Sequence, residues 1–156
     1  MTFVLPLRNA FGARWKPYTP VLTSQSGTWT NATLTGLYRV INKMLEVSFK
    51  IAFTGVSTTA SNMYISLPAG LTIDVAGLAG GGGWDTDPAG FAILGDNGVV
   101  SGVPGIINVR TSTTVLVKYT DDNDAGEIIG KTISNTAPWT WASIDTVSGQ
   151  FSVPIL

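Results

Sequence analysis

The chain has 156 residues, enough for one domain that buries about 68–70% of its unfolded surface and folds without cross-links. It contains neither cysteine nor histidine, which excludes disulfides, thiol chemistry, and the commonest metal ligand and general base. Charged residues make up only 12%, against about 25% in an ordinary soluble domain, so surface buried in an oligomer or assembly is expected, although abundant Thr, Ser, Asn and Gly could keep a monomer soluble. The net charge of −1 hides an asymmetry: residues 1–50 carry six basic groups against Glu46 alone, while the remainder carries three against nine acids.

Met1 to Arg14 mixes a short apolar run with Asn9, Gly12 and two arginines. It reads as an arm ahead of a single domain spanning residues 15–156, and Arg8, Arg14 and Lys16 give it a basic character suited to docking. Phe3 to Leu7 is too short and too weakly flanked for a signal peptide, and no apolar run approaches the roughly 20 residues of a spanning helix. Pro17 and Pro20 remove two amide donors, so Trp15 to Thr23 suits an edge strand or an extended lead-in. Trp15, Tyr18 and Trp29 are expected to pack.

The segment from Leu34 to Phe53 reads as a hairpin. Leu45, Val47, Phe49, Ile51 and Phe53 fall at every other position with Glu46, Ser48, Lys50 and Ala52 between them, the period of a half-buried strand. Leu34 to Ile41 is its partner, and Asn42-Lys43 occupies the place of a two-residue turn. Further strands are expected at Met63 to Leu67, ended by Pro68, and at Leu71 to Val75, Phe91 to Leu94, Ile106 to Arg110, Thr113 to Thr120, Glu127 to Ser134, Trp139 to Ser143 and Gln150 to Ile155. Gly77 to Gly90 is too glycine-rich for regular sheet throughout. No window carries a helical stripe, so the fold class is all-β, an antiparallel β-sandwich or jelly roll of eight to ten short strands.

Candidate chemistry is sparse. The glycines at 80–83 are followed by Trp84 and Asp85, not by the Lys and Ser or Thr that a phosphate loop requires. Asp85, Asp87 and Gly90, and again Asp121, Asn123 and Gly126, share the spacing of the start of a calcium loop, but Ala89 and Ala125 break it. Acids in such turns serve the turn geometry itself, and no metal or other cofactor is expected. Asp74, Asp85, Asp87, Asp96 and Asp145 are all eligible for a glycosidase pair, so none is singled out. Basic residues stand singly in a chain of pI about 5.1, which argues against nucleic acid. The sharper candidate is Trp84 with Asp85 and Asp87, an aromatic face to stack a sugar and carboxylates to bond its hydroxyls. Trp139 and Trp141, two apart, suit packing in a core or interface.

Trp15-Lys-Pro-Tyr-Thr-Pro-Val-Leu-Thr, Thr33-Leu-Thr-Gly-Leu-Tyr-Arg-Val-Ile-Asn-Lys, the alternating strand through Phe53, and Ile65-Ser-Leu-Pro together resemble a module of bacteriophage tail and other virion proteins. Ile144-Asp-Thr-Val-Ser-Gly-Gln-Phe is similar to the closing strand of such modules, with Phe151 where a tyrosine is usual; Gly77 to Asp124 has no counterpart. The resemblance implies a non-enzymatic protein on the virion surface. It would be a homotrimer of tail-fibre type, binding other virion proteins and a host-surface glycan, without membrane insertion. A capsid decoration, head-fibre or adaptor protein docked through the arm is the alternative, consistent with the absence of a long shaft, and a glycan depolymerase is a second.

Overall fold

The computed structural model describes residues 13–55, 59–78, 87–98, 101–122 and 128–156, and ten strands run through them. These are β1 (Lys16–Tyr18), β2 (Leu22–Thr23), β3 (Ala32–Ile41), β4 (Met44–Phe53), β5 (Met63–Ser66), β6 (Pro88–Asp96), β7 (Ser101–Thr111), β8 (Thr114–Asp122), β9 (Ile128–Thr132) and β10 (Thr146–Pro154). Every pairing is antiparallel. The all-β, sandwich-like class expected from the alternation is the one observed.

The β3–β4 hairpin forms as its sequence dictates. Asn42 and Lys43 both take positive φ, 49° and 63°, the turn whose twist matches that of the flanking strands. Leu45, Val47, Phe49, Ile51 and Phe53 are all buried, while Glu46, Ser48, Lys50 and Ala52 face outward.

The strand order is β1-β3-β4-β10-β6-β7-β8-β5-β2. β9 also pairs with β8, against residues 118–122, while β5 takes residues 114–117 of the same edge. The two ends of this order, β1 and β2, are joined by residues 19–21 alone. Four residue steps from Tyr18 to Leu22 span at most about 14 Å, so the sheet must curl until its ends approach. Register shifts at Pro88/Gly90 and Val109/Thr111 add local twist that helps it bend. One apolar cluster fills the interior. At one end of it Trp141 packs against Phe53, ring centroids 4.8 Å apart, and edge-on against Trp29 at 6.3 Å. The two indole N–H groups donate to Ser134 O at 2.9 Å and Asn62 O at 2.7 Å, so neither is buried unpaired.

Two expected strands are absent. Within Leu71 to Val75 only Ile73 bridges, to Ile155, and a 3₁₀ turn at Val75–Gly77 follows, its first residue preceded by Asp74, whose carboxylate accepts from Gly77 N. Trp139 to Ser143 is turn and irregular backbone. There the Trp141 indole is held by Ser134 and the Ala142 amide by the Asp145 carboxylate, local partners that displace a ladder. Trp139 and Trp141 nevertheless pack together, centroids 5.3 Å apart. Among the described residues no helix is long and apolar enough to cross a membrane.

Candidate functional site

The outer faces of β3, β4, β10 and β6 form a continuous surface on which the registers place side chains in rows. Arg39 lies opposite Glu46, which lies opposite Ser152; Leu37 lies opposite Ser48, then Gln150, then Phe91. Each row follows from alternation, because the neighbours of these residues in sequence point into the core. The guanidinium of Arg39 reaches Glu46 Oε2 through both Nε and Nη2, each at 2.6 Å. Its planar face covers the ring of Trp15, 4.7 Å from the centroid, one residue before β1.

Trp15 therefore does not pack inside as its type suggested; it is 43% exposed, and across the sheet Phe91 is 62% exposed. Between the two rings runs a groove of about 380 Å³ lined also by Arg39, Glu46, Gln150 and Ser152. Its β6 side requires glycine at position 90, where a Cβ would stand 2.0 Å from the backbone oxygen of Gln150. Aromatic walls around a floor of planar and hydroxyl hydrogen-bonding groups suit a ligand with apolar faces and a polar rim. A larger hollow of about 710 Å³ lies beside β1, between Tyr18, Leu37 and Lys50. The rings that reach it, Tyr18 and Phe49, belong to the core packing, so it offers no exposed aromatic face.

Of the sugar-binding residues expected from sequence, Trp84 and Asp85 lie outside the described residues, as do the glycines at 80–83. Asp87 is 4% exposed at the entry to β6, where its backbone oxygen accepts from Val109 N at 3.0 Å. A carboxylate so placed is withdrawn from a surface ligand. Two of the eligible acids serve turns: Asp96 accepts from Gly98 N at 2.9 Å, and Asp145, 1% exposed, accepts from Asn97 N at 3.1 Å and Ala142 N at 2.8 Å. Asp121 pairs with Lys131, while Asn123 and Gly126 of its run lie outside the described residues. Among the described residues no group of three or more acids is placed to hold a metal ion. Of the basic arm residues, Arg8 lies outside the described residues, Arg14 is exposed, and Lys16 is the first residue of β1.

The groove residues escaped sequence reasoning, although one signal was present. A two-residue turn at Asn42-Lys43 fixes Arg39 opposite Glu46 by counting outward from it. Searches of the chain against protein-family models, curated proteins and solved structures found no match.

Proposed function

We propose that this chain is a non-enzymatic surface module of a bacteriophage virion that binds a host-surface carbohydrate in the groove between Trp15 and Phe91. The observation that carries the reading is the pairing of two exposed aromatic walls with a floor of hydrogen-bonding side chains on one rigid sheet face. The virion context is supported by the resemblance of Trp15 to Leu67 and of Ile144 to Phe151 to phage modules. The non-enzymatic character is supported by Asp74, Asp96 and Asp145, whose carboxylates accept backbone amides in turns. The test is binding of the full chain to purified host-envelope glycans. Trp15→Ala and Phe91→Ala each weaken it about tenfold or more with the melting temperature held, since loss of a stacking ring forfeits contact area and not core. Unchanged binding by both variants, or steady release of new reducing ends, overturns the reading.

A second reading, a structural decoration or adaptor protein, is favoured by Ile93. It is 53% exposed beside Phe91 on the outer face, with exposed Pro104 opposite it on β7. An apolar patch of this kind suits a contact between copies in a homotrimer. Mass measured in solution tests the contact between copies, which a trimer dissociated by Ile93→Lys supports and a monomer at assay concentration removes. Loss of virion attachment on deleting Met1 to Arg14, with folding intact, supports the decoration or adaptor reading, and unchanged attachment removes it.

A further inference from the structure

We propose that the groove selects uncharged oligosaccharides over acidic ones and that Glu46 sets this preference by neutralising Arg39. The inference rests on the reading of the groove as a carbohydrate site. Among the described residues that line it, Arg39 is the one cation and Glu46 the one anion, so their charges balance across the floor. The balance is held geometrically. Arg39 and Glu46 are direct cross-strand partners, two guanidinium nitrogens reach the same carboxylate oxygen at 2.6 Å, and Trp15 lies against the guanidinium face.

An arginine recognises a carboxylate by presenting its fork of donors in two parallel bonds. Here the Nε and Nη2 edge of that fork is already turned to Glu46. A uronate or sialate that takes the remaining donors of Arg39 lies beside the Glu46 carboxylate, and like charges brought together cost binding energy. A neutral sugar meets no such conflict. Its hydroxyls find Gln150 and Ser152, both exposed on the strand between β4 and β6, and its apolar faces find Trp15 and Phe91. Lys50, on the same outer face in the row of Ser148 and Ile93, is not among the lining residues. The width also fits a chain and not a single ring: from β3 through β4 and β10 to β6 is three strand spacings of about 4.8 Å, or about 14 Å.

The test is calorimetric titration of the full chain with length-matched trisaccharides, one set neutral and one carrying uronate or sialate. The wild-type protein binds the neutral set about tenfold or more tightly than the acidic set. Glu46→Gln exposes the Arg39 fork, raising acidic affinity about tenfold and so bringing the neutral-to-acidic ratio down toward parity. Adding Arg39→Gln abolishes the gain. Melting temperatures within a few degrees of wild type show that the variants fold, as expected for a surface pair. An unchanged neutral-to-acidic ratio in Glu46→Gln, or acidic preference in the wild type, overturns the inference while leaving the carbohydrate site standing. Absence of binding to either set, or binding indifferent to Trp15→Ala, overturns the site and the inference together.

Discussion

Arg39 and Glu46 face each other directly across the β3–β4 hairpin, and the guanidinium that meets the carboxylate also covers the ring of Trp15. Their side chains are 31% and 34% exposed, so water screens the attraction and its worth to folding is small. A double-mutant cycle of Arg39→Ala and Glu46→Ala, followed by urea unfolding, is expected to give a coupling below about 1 kcal/mol. A coupling of several kcal/mol would place the pair among structural elements and weaken its assignment to ligand selection.

Gly36 and Tyr18 are matched in the β1–β3 register, and the tyrosine ring occupies the space a side chain would take. A Cβ at position 36 would stand 2.4 Å from Tyr18 Cε1. Gly36→Ala must push the ring out and loosen β1, at a cost of about 1–3 kcal/mol by denaturant unfolding. In a Tyr18→Ala background the same substitution should cost much less, because the atoms it strikes are gone. Equal costs in the two backgrounds would refute the packing explanation.

The Tyr18 hydroxyl is buried and has no hydrogen-bond partner among the described residues, and burial raises its pKa above the ordinary value. The folded chain thus keeps this proton at a pH where the unfolded chain releases it, near 10 and above. The contribution is unchanged below that range and stability falls as pH rises through it. Tyr18→Phe should be neutral or slightly stabilising at pH 7, since it removes an unpaired polar group, and should flatten the alkaline decline. Urea midpoints from about pH 8 to 11 check this against the ordinary phenol value. Parallel declines in the two proteins would contradict it.

Ile144 holds a φ of 72° while 62% exposed, an unfavourable backbone for a β-branched residue with no burial in return. Its amide donates to Phe53 O at 2.9 Å and its carbonyl accepts from the Asn97 side chain, which fixes the conformation from both sides. Asparagine tolerates this region, so Ile144→Asn is expected to gain about 1 kcal/mol and raise the melting temperature by about 2–4 °C. A fall in melting temperature would show that the exposed side chain makes a contact worth more than the strain.

Elements that carry their own instructions were legible from sequence. β4 could be read because its five apolar residues alternate without a break, and its turn because Asn42 tolerates positive φ. Trp15 was not legible: whether a tryptophan packs inward depends on where β3 lies beside it, and that follows from pairings far along the chain. Phe91 stands in the apolar run Phe91 to Leu94, whose local pattern does not tell the buried residues, Ala92 and Leu94, from the outward ones, Phe91 and Ile93. Asp87 looked like a loop acid because its neighbours are glycine, proline and acid. Its burial arises from pairing of the chain there with β7, which no local pattern encodes. Position 151, recognised only as part of a closing strand, lies in β10, which joins the hairpin to the rest of the sheet by sitting between β4 and β6.

Carbohydrate binding in the groove is tested most directly by what Trp15 does when a glycan is present. The chain has five tryptophans, and the ¹⁵N-resolved indole signals report on each, with Trp15→Phe identifying the one at issue. On titration with a neutral trisaccharide the Trp15 indole signal should shift and saturate, while those of Trp29 and Trp141, buried in the core, stay in place. A Trp15 signal unmoved at saturating glycan would contradict the proposed site.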